Sequence, residues 1–170
     1  AVVGASSRAG SVGAMVWARV LDGGFEGPVW PVNPKYRELG GHTVIGDVER
    51  LPAPPSVAVI CTPPATWAGI VHKLGELGTR AAVIVGDART DADRAALDRA
   101  LKAGANGYVT KGSEPEVLLD GIRRVAGGET FIDPTLGPGN GVEAGAAWAT
   151  PDQALSERER QVLEGIAAGL

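Results

Sequence analysis

The chain has 170 residues, 44% of them hydrophobic and 21% charged, a composition that excludes a disordered or fibrous protein and leaves room for one good core. Its formal charge of −4 excludes a wholly basic nucleic-acid-binding surface while allowing a local cluster such as Arg8, Lys35 and Arg37. The single cysteine, Cys61, excludes an internal disulfide. No apolar stretch approaches the length of a membrane span and no basic-then-apolar leader opens the chain, so the expected setting is the cytoplasm, with no membrane partner. The missing initiator Met and the end at Leu170 are what a piece of a longer protein shows, and a leader lying outside it would escape this reading.

Apolar runs at Ala1–Val3, Val29–Val32, Val57–Cys61 and Ala81–Val85, each bounded by Gly, Pro or Ser, read as buried strands. Between the first two, Val12, Met15, Val16, Val20 and Leu21 share a helical face that Gly23-Gly24 stops. Ile70, Val71, Leu74 and Leu77 form a second such face after Thr66, ending at Gly78. Thr90 or Asp91 caps a third helix, carrying Leu97, Ala100 and Leu101, which Gly104 terminates. Gly107 to Thr110 reads as the last core strand, and Glu114 to Ala126 as a helix with Val117, Leu118, Ile122 and Val125 inward. Strand, helix, strand in this order predicts an α/β fold: a doubly wound parallel sheet with helices on both faces, over residues 1–136. Residues 137–154 lose periodicity and read as a Gly/Ala/Pro-rich linker; residues 155–170 open one extra helix with the capping-box pattern of Ser156 and Glu159.

The first strand runs into Gly4-Ala5-Ser6-Ser7-Arg8 and then Gly10-Ser11-Val12-Gly13, where the first helix begins. Glycine removes the side chain that would hold a phosphate away from the backbone, and a helix N-terminus carries partial positive charge, so this is a dinucleotide-type cradle. It departs from G-x-G-x-x-G, with Ser6 at the second glycine. Cys61 reads as a small core residue, His42 and His72 as surface residues, and Trp30 as a candidate contact to an adenine.

Three stretches together resemble the CoA-binding domain of the NDP-forming acyl-CoA synthetases, relatives of the succinyl-CoA ligase α subunit: the Gly4 to Gly13 loop, Val32-Asn33-Pro34-Lys35, and Cys61-Thr62-Pro63-Pro64. That resemblance covers residues 1–86. It implies that Gly4, Ser6, Ser7, Arg8 and Gly10 hold CoA phosphates, that Val32, Asn33 and Lys35 meet the nucleotide end, and that Thr62, Pro63 and Pro64 line the pantetheine path. The implied ligand is CoA or an acyl-CoA, with NAD ranked behind and no metal.

Residues 81–136 resemble instead the back half of a LuxR-type response-regulator receiver, through Ala100 to Lys111, Glu116 to Leu119 and Val125 to Glu129. Leu155 to Leu163 resembles the first helix of a LuxR-type DNA-binding domain, cut short at residue 170. In receivers the lysine at the Lys111 position pairs with a phosphorylated aspartate. Here the places of the acidic pair, the phosphoacceptor and the sensing Ser/Thr carry Gly4-Ala5-Ser6, Cys61-Thr62 and Asp87, so phosphotransfer is not expected. The leading expectation is a CoA- or nucleotide-binding regulatory module of a LuxR-type transcription regulator, reaching DNA only through a C-terminal domain absent from this chain. The alternative is the CoA-binding domain of an NDP-forming acyl-CoA synthetase, and the third a chimeric scaffold without activity. No catalytic residue stands out, the reading leans away from an enzyme, and a homodimer is compatible with the sequence.

Overall fold

The computed structural model describes residues 1–23, 27–113, 124–125 and 128–136. A six-stranded, wholly parallel sheet runs through them. Its strands are β1 (Val2–Val3), β2 (Pro31–Val32), β5 (Val57–Ile60), β6 (Ala81–Gly86), β7 (Gly107–Thr110) and β8 (Phe131–Ile132), in the order β2-β1-β5-β6-β7-β8. A separate antiparallel hairpin pairs β3 (Glu38–Leu39) with β4 (His42–Thr43). Beyond β2, Ile45 bridges in parallel to Val32: Asn33 N–H donates to Ile45 O and Ile45 N–H to Pro31 O, both at 2.9 Å. The chain thus winds outward from β1 through β2 to Ile45, then returns to the other side of β1 as β5. The boundary between β1 and β5 is the switch point of the winding, where open α/β sheets leave a crevice at their carboxyl edge.

Helices α1 (Val12–Asp22), α2 (Trp67–Leu77) and α3 (Asp91–Lys102) cover both faces. Alternation along β6 divides the core: Val83 and Val85 face Val16, Trp17 and Val20 of α1, whereas Ala82 and Ile84 face Trp67, Val71 and Leu74 of α2 and Leu97 and Leu101 of α3. Each helix starts where its sequence says it should. Ser11 accepts the Ala14 N–H at 3.2 Å to cap α1, and Thr90 with Asp93 forms a reciprocal capping box on α3. Gly78, in the left-handed region, closes α2.

The expected doubly wound fold with helices on both faces is the observed one. Gly107 to Thr110 is not the last strand, because β8 pairs outside it. The helix expected from Glu114 to Ala126 lies largely outside the described residues, although Val125 is buried against the sheet. The expected linker at 137–154 and the final helix at 155–170 also lie outside them.

Candidate functional site

The first strand is only two residues long because Gly4 turns the chain at φ +90°. A side chain there would meet the Cys61 carbonyl carbon and Thr62 Cγ2 at 3.0 Å, so glycine allows both the turn and the close passage of β5. Gly13 is required more strictly: a Cβ on it would lie 1.9 Å from the Gly4 carbonyl oxygen, so α1 packs backbone to backbone on the end of β1. Between them the loop is tied internally. Ser6 Oγ accepts the Arg8 N–H at 2.9 Å, and Ser11 Oγ donates to Arg8 O at 2.8 Å. Ser6, at the position where the fingerprint has glycine, thus uses its hydroxyl on the loop itself. The first-turn N–H groups of Val12 and Gly13 have no intrahelical acceptor and stand at the cleft, a ready anion site.

The turn after β2 braces this loop. Asn33 Nδ2 donates to Ala5 O at 2.8 Å while its Oδ1 accepts the Lys35 N–H at 2.9 Å, so Asn33 joins two turns through its side chain. Tyr36 Oη lies 3.1 Å from Ser6 Oγ; hydrogen bonds with Ser6, then Ser7, hold its phenol below the ordinary value. After β5, Thr66 Oγ1 donates to Pro63 O at 2.7 Å and lies in hydrogen-bond contact with Thr62 Oγ1 at 2.8 Å, and the fully buried Trp67 donates its indole N–H to Thr62 O at 2.8 Å. The Pro63-Pro64 turn is therefore a stiff wall, with Pro64 opening the 3₁₀ turn that leads into α2.

These turns enclose one cleft of about 990 Å³ at the carboxyl edge, centred on the switch point. It brings together Gly4, Ser6, Arg8 and Gly10 from the loop; Val32, Asn33 and Lys35 from the second turn; and Thr62, Pro63 and Pro64 from the third. Ser7 is exposed and lies outside its lining, as does Trp30. The sequence reading missed Tyr36, Trp67, Asp47 and Lys73 as parts of the same cleft. Lys73 Nζ reaches Asp47 Oδ1 at 3.3 Å and Glu49 Oε2 at 3.1 Å. The Glu49 N–H, and then Lys73, hold the Asp47 carboxyl below the usual range against the opposing effect of burial.

On the far side, Lys111 and Asp87 also reach the cleft. Asp87 pairs with Arg89 at 3.1 Å, leaving Oδ1 buried without a hydrogen bond. Tyr108 fastens the adjoining loop, accepting the Ala88 N–H at 2.8 Å and donating to Gly86 O at 3.0 Å. Among the described residues no group of three His, Cys, Asp or Glu is placed to hold a metal ion.

Burial pushes the Cys61 thiol up to about 12, so the neutral thiol dominates at pH 8. Iodoacetamide is therefore expected to alkylate the folded protein at least tenfold more slowly than the urea-unfolded chain at that pH. Equal rates, followed by mass spectrometry, would show an accessible thiolate instead.

A glycine-bearing loop at a switch point is thus met by an Asn-Pro-Lys turn and a Thr-Pro-Pro turn on one cleft. The family model described as CoA binding domain matches residues 1–112. This chain belongs to the CoA-binding domain family. Within and around that family, it is 29% identical over 181 aligned residues to a trans-feruloyl-CoA synthase from an unknown prokaryotic organism, covering 99% of this chain and 25% of that protein. It is 32% identical over 120 residues to the ADP-forming acetate–CoA ligase I of Archaeoglobus fulgidus, covering 69% and 17%. Likeness to a response regulator is narrower: 40% identity to the nitrate/nitrite regulator NarL of Escherichia coli over 74 residues, 42% of this chain and 34% of NarL. The chain thus spans a quarter or less of the two CoA-linked relatives.

Among solved structures, the CoA-binding domain superposes on the apo dinucleotide-forming acetyl-CoA synthetase 1 of Ca. Korarchaeum cryptofilum with a TM-score of 0.53 and 28% identity, over 63% of this chain and 24% of that one. It also superposes on a conserved hypothetical protein from Pyrococcus furiosus with a TM-score of 0.51 and 29% identity, over 64% and 89%. Among the described residues, no helix of this CoA-binding domain is long and apolar enough to cross a membrane.

Proposed function

We propose that this domain binds CoA or an acyl-CoA in the cleft at its carboxyl edge, as the nucleotide-binding module of a protein of the NDP-forming acyl-CoA synthetase type. The observation that carries the reading is the meeting of three turns, remote in sequence, on one cleft whose centre is an anion-binding loop. The pyrophosphate lies over the N–H groups of Val12 and Gly13, flanked by Arg8. From there the ligand's two arms diverge, the nucleoside toward Lys35 and Tyr36 and the pantetheine along Thr62, Pro63 and Pro64. NAD fits less well. Dinucleotide folds place a carboxylate near the end of the second strand to hold the ribose hydroxyl, and here that turn carries Asn33, committed to Ala5, and the cation Lys35.

Calorimetric titration with CoA, acetyl-CoA and NAD tests the reading, which predicts saturable binding of the first two and weaker binding of the third. Arg8→Glu should weaken CoA binding about tenfold or more by placing a carboxylate at the phosphates, and Lys35→Ala by about threefold, with thermal stability little changed for both exposed positions. Wild-type affinity in both variants, or no binding by the wild type at millimolar CoA, would overturn it.

The 74-residue likeness to NarL favours a second reading, in which CoA occupancy controls a transcription regulator whose DNA-binding domain follows in the whole protein. Under it, extending the chain through the whole gene should yield CoA-dependent, sequence-selective DNA binding in a gel-shift assay. Continuation into ligase domains would instead establish the synthetase context.

A further inference from the structure

The nucleoside arm of the cleft ends at a turn that sequence patterns pass over. Because Ile45 bridges to Val32, the segment Gly46-Asp47-Val48 emerges from the same carboxyl edge as Asn33-Pro34-Lys35, one strand spacing further from the phosphate loop. The opposite arm runs past Thr62, Pro63, Pro64 and Val85, a largely apolar channel suited to pantetheine. A base leaving the loop on the Lys35 side therefore arrives at residues 46–48, where the half-buried Ile70 offers apolar surface beside the edges of the buried Val32 and Val48, and Asp47 is the one acceptor-only side chain among the described residues of that arm.

Asp47 is also chemically prepared for a donor. Its Oδ1 accepts the Glu49 N–H at 3.1 Å and faces Lys73 Nζ at 3.3 Å, while Oδ2 has Lys73 alone, at 3.4 Å. A carboxylate offers about four acceptor positions, so one remains on Oδ2. Lys73, shared with Glu49, offsets one of the two negative charges on this side of the cleft. Half the Asp47 side chain stays open to solvent and so to a ligand.

We propose that Asp47 is the base-reading residue of this cleft: its remaining lone pair accepts the 6-amino group of adenine and disfavours a purine bearing a 6-oxo group. This rests on the CoA reading above. The amine meets the vacant acceptor directly, whereas a 6-oxo group at the same place sets oxygen against carboxylate, and the N1–H that such a purine carries instead lies one ring position away.

The test is calorimetric titration of CoA against its deaminated counterpart, identical except for hypoxanthine in place of adenine. Wild type should prefer CoA by about tenfold. Asp47→Asn keeps the oxygen that caps the turn, but its amide can present either a donor or an acceptor, so the preference should fall to about twofold. Glu49→Gln, which removes the other carboxylate on Lys73, should retain the tenfold preference. The inference is overturned if wild type binds both ligands equally, or if Asp47→Asn, with an unchanged circular dichroism spectrum, keeps the full preference. Absence of CoA binding by wild type overturns the underlying reading and this inference with it.

Discussion

Gly13→Ala should destabilise the domain by about 3 kcal/mol or more and weaken CoA binding by well over tenfold. The added methyl would lie 1.9 Å from the Gly4 carbonyl oxygen, and both partners are backbone, so no side chain can swing away. Relief requires α1 to withdraw from β1. That movement loosens Val16, Trp17 and Val20 from Val2 and Val59 on the sheet, and carries the N–H groups of Val12 and Gly13 away from the proposed phosphate position. Gly10→Ala is the matching control: nothing lies within 4 Å of its added methyl, and only the left-handed backbone, φ +73°, is strained, a cost of about 1 kcal/mol. Urea denaturation with CoA titration separates the two. Similar losses in both variants would show that loop conformation matters and helix–strand contact does not.

Asp133→Asn should cost about 3 kcal/mol at pH 7 and alter the acid limb of the stability curve. Asp133 is fully buried just after β8, yet accepts hydrogen bonds from Thr110 N–H at 2.9 Å, Thr135 N–H at 2.9 Å, Thr135 Oγ1 at 2.8 Å and the Ser113 hydroxyl. Burial alone would raise its carboxyl, but these donors, Ser113 first among them, outweigh it and hold the pKa below the ordinary value. The carboxylate therefore contributes stability that is present above the unfolded value, about 4, and is lost as the pH falls through the folded one. An amide turns two donors toward groups that are donors themselves. Denaturation between pH 3 and 7 should show a steeper acid decline in wild type than in the variant; parallel curves would mean that the carboxylate charge is idle.

Most of the sheet was legible because its strands are apolar runs bounded by Gly, Pro or Ser, and the helices between them carry their caps and apolar faces in the sequence. Phe131–Ile132, Glu38–Leu39 and His42–Thr43 escaped because, unlike Val2–Val3 and Pro31–Val32, they do not lie within longer apolar runs, and each becomes a strand only through its partner. The loop after β1 and the turns at Asn33 and Thr62, which meet at the cleft, were readable from local chemistry. Tyr36, Asp47 and Lys73 were not, since their place in the cleft depends on the Ile45 bridge and on α2 passing over residues 47–49, neither of which leaves a local mark. Ser7 shows the converse, a residue drawn in by its neighbours in sequence whose position lies outside the cleft.

The placement of the cleft at the β1/β5 boundary divides the domain's freedom to change. Apart from Lys111, every residue lining it falls between Val3 and Asp87, while α3, β7 and β8 support the sheet from the far side. Lys111 aside, that far side bears on the cleft only through the sheet it supports and through Tyr108, which fastens Gly86 and Ala88.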